Sequence, residues 1–176
     1  MTTAGELWVF GYGSLMWRPG FPYIERRGGL LRGWRRRLCV YSHVYRGTPE
    51  HPGLVLGLDR GGACSGVAFR IEAAQAEATL RYLREREQVT AVYLERIVSL
   101  RLDDGRRVSA VTYVADRAHA QYAGAMTRET MLKLVREGRG RSGPNAEYIL
   151  ATRDHLRGLG IHDPELEWLS ERLAAA

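Results

Sequence analysis

The stretch "VFGYGSLMW", residues 9–17, decides how the chain is read. An apolar run, residues 7–10, passes straight into Gly11, Tyr12, Gly13 and Ser14. A dinucleotide-binding loop requires G-x-G-x-x-G at the start of a helix. Here the third position is Met16, and Pro19 and Pro22 in the continuation "WRPGFP" forbid a long helix. A nucleophile elbow requires glycines two residues to either side of the serine, and Ser14 has Tyr12 and Met16 in those places. What is left is a strand that ends in a tight glycine turn. Such a turn either brings backbone N–H groups close to a bound carboxylate or oxyanion, or simply turns the chain.

The whole composition fits one soluble globular domain, residues 1–176. No apolar run approaches the ~20 residues that span a bilayer, and residues 1–6 lack the basic start and apolar stretch of a signal peptide. Cys39 and Cys64 have no metal-ligand spacing and suggest no oxidising compartment, so the expected location is cytoplasmic. The five histidines, His43, His51, His119, His155 and His162, form no i, i+4 pair, and no metal site is expected. The net charge is +6 and almost wholly arginine, Lys133 being the only lysine. The densest basic stretch, Arg32, Arg35, Arg36 and Arg37, has Trp34 as its one aromatic. Nucleic-acid surfaces interleave such charge with several stacking rings. The stretch therefore reads as a solvated face or an attractor for small anions.

Strands are expected at residues 7–10, 28–32, 36–42, 54–58 and 66–71, with Gly33 parting the second and third. The loop 46–53, "RGTPEHPG", is irregular by its prolines and glycines. A helix follows over 73–88, and then two alternating strands, 92–102 and 106–114, joined by the hairpin signal "DDG". Helices at 128–136, 144–159 and 164–174 close the chain, the last with Asp163 as N-cap and Pro164 at its first position. Strands first, one helix among them and helices last is not doubly wound alternation. The expected class is α+β, a curled or barrel-like sheet with helices outside.

In the helix, Ala73, Ala76, Leu80 and Leu83 form an apolar stripe. One further turn lands on Glu87, while Glu77, Arg81, Arg84 and Glu85 point elsewhere. A carboxylate on a buried face near a helix C-terminus has a raised pKa, as a general acid or base near neutrality requires. It is otherwise a buried glutamate paired with an arginine. Ser42 ends a strand and is either a strand-end residue or a ligand contact. "SGPNAEY", 142–148, reads as a helix start capped by Ser142 or Gly143, with Tyr148 one turn in, either packing or sending its hydroxyl into a pocket.

Taken together, "WVFGYGSLMWRPGF" (8–21), "SHVYRGTPEHPG" (42–53), "YLREREQ" (82–88) and "GRSGPNAEYI" (140–149) resemble the ChaC family of γ-glutamylcyclotransferases, from Trp8 to about Trp168. The resemblance implies a γ-glutamylcyclotransferase-like fold, a small mixed β-barrel flanked by helices. It implies an enzyme that cyclises the γ-glutamyl group of glutathione to 5-oxoproline and releases cysteinylglycine, without cofactor or metal. Glu87 takes the catalytic acid/base role. Tyr12, Gly13, Ser14 and Leu15 cradle the γ-glutamyl group, with Val9, Phe10 and Gly11 leading into the cradle and Ser42 and Tyr148 as further substrate-binding residues. The implied partner is a small-molecule substrate, with no nucleic acid, membrane or obligate protein partner. Arg46, in the loop, either receives the glycine carboxylate of the tripeptide or braces the loop. One departure is that "QVTAVY", 88–93, lacks the glycine-tyrosine pair of eukaryotic members. Two other readings are a cyclotransferase for other γ-glutamyl amines and a non-catalytic binder of γ-glutamyl peptides.

Overall fold

The computed structural model describes residues 5–88 and 91–175; Val89 and Thr90 of the "QVTAVY" stretch lie outside the described residues. The chain forms two compact units. The first contains the residues up to Arg36 together with Gly57–Asp116, and the second Arg37–Leu56 with the residues from Arg117 onward.

Five strands make a closed barrel in the order β1-β3-β2-β4-β5: β1 (Leu7–Gly11), β2 (Glu25–Ser42), β3 (Gly53–Ile71), β4 (Tyr93–Leu102) and β5 (Arg107–Ala115). β1 runs antiparallel to β3, with Val9 opposite Phe69, and parallel to β5, with Val9 opposite Val111. The barrel is therefore mixed, as expected. β4 and β5 form the predicted hairpin, from Tyr93 opposite Ala115 to Arg101 opposite Arg107. Gly105, at φ +89°, supplies the left-handed residue of its turn. The strict alternation expected of β5 holds only in its first half. From Ala110 onward both faces are buried.

Two sequence-based expectations are corrected here. The strands 28–32 and 36–42 are one 18-residue strand, and 54–58 and 66–71 belong to one of 19 residues. Gly33 (φ +86°), Gly61 (φ +100°) and Gly62 (φ +64°) let these strands bend where a local reading takes them to stop.

Trp8, Phe10, Leu31, Leu58, Phe69, Ile71, Leu100 and Tyr113 fill the core of the first unit, each fully buried. Each such side chain contributes about 1.5–3 kcal/mol on burial. The helix α1 (Ala76–Glu87) belongs to this unit and buries Thr79 and Leu83. Ala73, expected on its inward stripe, is exposed and lies in the 3-10 turn before it. At Gly20 (φ +75°) a Cβ would lie 2.1 Å from the Tyr82 hydroxyl, so only glycine lets the chain pass so near α1.

The second unit holds α2 (Arg128–Glu137), α3 (Asn145–Gly158) and α4 (Pro164–Ala174), which bury Met131, Val135, Ile149, Leu156, Leu166 and Leu169. Asp163 caps α4 by accepting the Leu166 N–H at 3.0 Å, as predicted. The predicted cap of α3 is not found. Pro144 is its N-cap and makes no side-chain capping bond. Among the described residues no helix is long and apolar enough to cross a membrane.

Candidate active site

β1 ends at Gly11, and the chain folds back at once into a 3-10 turn, Ser14–Met16. A Cβ on Gly11 would stand 2.9 Å from Leu15 Cβ and 3.3 Å from the Met16 nitrogen, so the fold-back requires glycine there. Gly13, just before the turn, has φ −133° and ψ −130°, a backbone combination that L side chains rarely adopt. The Gly13 carbonyl accepts the Met16 N–H at 2.9 Å, and the Ser14 carbonyl accepts the Arg18 N–H at 2.7 Å. Tyr12 and Leu15 are buried, Gly13 is half-buried and Ser14 is exposed. Val9 and Phe10, expected near a ligand, are both 0% exposed, and their backbones pair with Phe69 and Ala68. They build the strand end, and their side chains have no open face to offer a substrate.

Arg36 fixes the turn from below. Its Nε donates to the Tyr12 carbonyl at 2.7 Å and its Nη2 to the Ser65 carbonyl at 2.7 Å. The basic stretch is thus only partly a solvated face. Arg32 and Arg35 are exposed, while Arg36 is a structural brace.

Arg86 fixes the turn from the side of α1. Its Nη2 donates to Ser14 Oγ at 2.9 Å. Its Nη1 donates to the carbonyls of Arg18 (2.6 Å) and Pro19 (3.2 Å) and to the Tyr82 hydroxyl (3.1 Å). Its Nε stands 3.5 Å from Glu87 Oε1, and the two side chains are only 19% and 18% exposed. Glu87 and Ser14, singled out separately in the sequence, are joined by this guanidinium. Burial pushes the Glu87 carboxyl above its ordinary value, and the charge of Arg86 opposes this without reversing it. Glu77, Arg81, Arg84 and Glu85 are exposed, as the stripe predicted.

Sequence reasoning missed Arg86. The available signal was its position, three residues after buried Leu83 and four after Tyr82, on the same side of α1.

Ser42 and Tyr148 belong to the second unit, where both meet Arg46. Ser42 Oγ accepts the Arg46 backbone N–H at 3.0 Å, a strand-end role. The Arg46 guanidinium donates from Nη1 to the carbonyls of Ser142 (2.9 Å) and Pro144 (3.2 Å) and lies 5.7 Å from the centre of the Tyr148 ring. Arg46 therefore braces its loop. Ser142 contributes a carbonyl here and not a helix cap. The Tyr148 hydroxyl accepts the Leu56 N–H at 3.0 Å. Asn145, fully buried, takes the Leu54 N–H on Oδ1 and gives Nδ2 to the Leu54 carbonyl, both at 2.9 Å.

Comparison with known proteins agrees with the barrel fold. The model of the ChaC family, described as ChaC-like protein, matches residues 7–175. A glutathione-specific γ-glutamylcyclotransferase of Escherichia coli (strain K12) is 38% identical over 162 residues, 92% of this chain and 70% of the relative. Glutathione-specific γ-glutamylcyclotransferase 1 of Danio rerio is 35% identical over 176 residues, 97% of this chain and 90% of the relative. A crystal structure of a γ-glutamyl cyclotransferase specific to glutathione from yeast superposes with a TM-score of 0.85 at 23% identity, covering 97% of this chain and 96% of that one. That last likeness establishes the fold. The chain belongs to the ChaC family.

Proposed function

We propose that this protein is a γ-glutamylcyclotransferase that cleaves glutathione to 5-oxoproline and cysteinylglycine. The relatives named for this activity support the reading, and the observation that carries it is the half-buried Glu87, with raised pKa, tied through Arg86 to the turn at Ser14.

The reaction needs no external nucleophile. The α-amine of the γ-glutamyl group attacks its own γ-carbonyl carbon, a new C–N bond closes the five-membered lactam, and the bond to the cysteine nitrogen breaks. Water is neither consumed nor formed. The protein must hold the substrate folded for attack, take a proton from the ammonium, steady the oxyanion, and return a proton to the departing amine. Glu87 performs both proton transfers in turn. Backbone N–H groups around Gly13 and Ser14 receive the oxygens of the γ-glutamyl group. Because Glu87 acts first as a base, kcat/KM falls as pH drops through its pKa, and burial places that acid limb above the ordinary 4.5 of a glutamate.

The match to the family runs through both units, which supports reading the chain as one functional domain. Cys39 and Cys64 are both buried, and the proposed setting is a reducing, cytoplasmic one.

Incubation of the purified protein with glutathione, with 5-oxoproline read by mass spectrometry, tests the activity. Comparison of kcat/KM for glutathione and γ-glutamylalanine tests the choice of leaving group. Loss of the contacts to the cysteinylglycine end costs on the order of 1.5–3 kcal/mol, roughly ten- to a hundredfold. Equal values reject a glutathione-specific site, and no turnover of either favours a binding protein.

A further inference from the structure

The last turn of α1 carries Arg84 as well as Arg86 and Glu87. Residues three apart on a helix are neighbours, so Arg84 has Glu87 within reach of its long side chain. Its donors go elsewhere. Nε meets Glu95 Oε2 at 2.9 Å and Nη2 meets Glu95 Oε1 at 3.0 Å, a bidentate pair with β4. The same Glu95 Oε2 accepts the hydroxyl of Tyr113 at 2.9 Å. Glu95 and Tyr113 stand directly opposite in the β4–β5 ladder, and Tyr113 is 1% exposed.

We propose that Glu95 is a positioning residue for the reaction at Glu87: it binds Arg84 and the Tyr113 hydroxyl, and so keeps a second guanidinium away from the Glu87 carboxylate while fixing the end of α1 to the barrel. The inference rests on Glu87 being the acid/base of the proposed function. The charge states agree with the geometry. The Arg84 hydrogen bonds hold the Glu95 carboxyl below the usual range, with the Tyr113 hydroxyl adding to this against the effect of burial. Burial, and then the bond to Glu95, push the Tyr113 phenol up, so it remains a neutral donor. Arg86, on the same helix, is the charge that lowers the Glu87 carboxyl against burial, and the Glu87 charge in turn adds to the rise of the Tyr113 phenol on β5.

The test is the pH profile of kcat/KM for 5-oxoproline release from glutathione, measured for the wild type, Glu95→Gln, Arg84→Gln and the double variant. Glu95→Gln leaves Arg84 an uncompensated cation beside the base, which favours the Glu87 carboxylate. The acid limb then moves down by about 0.2–0.4 pH unit. Arg84→Gln leaves Glu95 an uncompensated anion, and the limb moves up by about as much. The double variant returns it to the wild-type position. Opposite shifts that cancel are a signature a merely structural role does not produce. Limbs that stay put, or that move in the same direction in both single variants, overturn the proposal. Should Glu95→Gln not fold, Arg84→Gln, on a half-exposed side chain, decides alone by its upward shift or the lack of one. An inactive wild type, or an active Glu87→Gln, overturns the proposed function and this inference with it. An active wild type with inactive Glu87→Gln and unmoved limbs overturns this inference alone.

Discussion

In the second unit the Arg46 guanidinium gives its Nη1 to two backbone carbonyls, those of Ser142 and Pro144. In the first, Arg86 divides itself among the carbonyls of Arg18 and Pro19, the hydroxyls of Ser14 and Tyr82, and a neighbouring carboxylate 3.5 Å away. Both arginines brace a loop rich in glycine and proline. Arg46 lies over the Tyr148 ring, whereas Arg86 stands beside a largely buried carboxylate. A guanidinium on carbonyls changes no protonation equilibrium. One beside a buried carboxylate sets how strongly that group holds its proton. The contrast separates a brace on carbonyls from a brace beside a carboxylate, and it can be broken by substitution on either side.

Glu87→Gln, almost isosteric, is expected to lower kcat by about 10²–10⁴, the usual contribution of general acid–base catalysis, with far-UV circular dichroism unchanged. Near-normal turnover removes Glu87 from the chemistry and erases the contrast. Asn145→Ala in the second unit strands two backbone groups of Leu54 and is expected to cost about 2–4 kcal/mol in urea unfolding. A variant of wild-type stability that has lost its turnover would place that side chain among the working groups instead. Arg86→Gln is expected to reduce kcat roughly tenfold through misplacement of Glu87. It should also move the acid limb of the pH profile to higher pH, because Arg86 is the charge that lowers the Glu87 pKa. A limb that moves to lower pH contradicts the ion pair. The smallest effect is expected from Tyr148→Phe, which deletes one acceptor for the Leu56 N–H and costs about 0.5–1.5 kcal/mol of stability. A kcat/KM loss well beyond that shows the hydroxyl serving a substrate, as the "GRSGPNAEYI" motif implied.

Much of the first unit was legible because its signals are local. The glycine turn after β1, the Asp-Asp-Gly hairpin and the placement of Glu87 four residues beyond buried Leu83 all follow from spacing within a dozen residues. The two long strands were not legible, because Gly33 and the Gly61–Gly62 pair look like terminators until barrel closure gives them a bend to make. Arg86 was hidden for a different reason. Its partners Arg18, Pro19 and Ser14 lie some seventy positions earlier in the chain, and a long cationic side chain on an exposed-looking helix turn gives no hint of which carbonyls will receive it. The same holds for Asn145, whose ninety-one-residue reach to Leu54 is invisible to any window.

The parallel pairing of Val9 with Val111 has a kinetic consequence. β1 comes first among the strands of this barrel, yet its partners are the last part of β3 and the middle of β5. The entropy of closing such loops must be met before the contacts return anything, so pairing of this kind is slow. On the ribosome, residues 7–11 wait for most of the first unit to emerge before the barrel seam can close. The turn that follows them, with Ser14 and its hold on Arg86, takes its position only then. The turn and the barrel seam therefore reach their final arrangement together. A chain that stalls before β5 carries every residue of the turn and of α1, and still lacks the scaffold that sets them against each other.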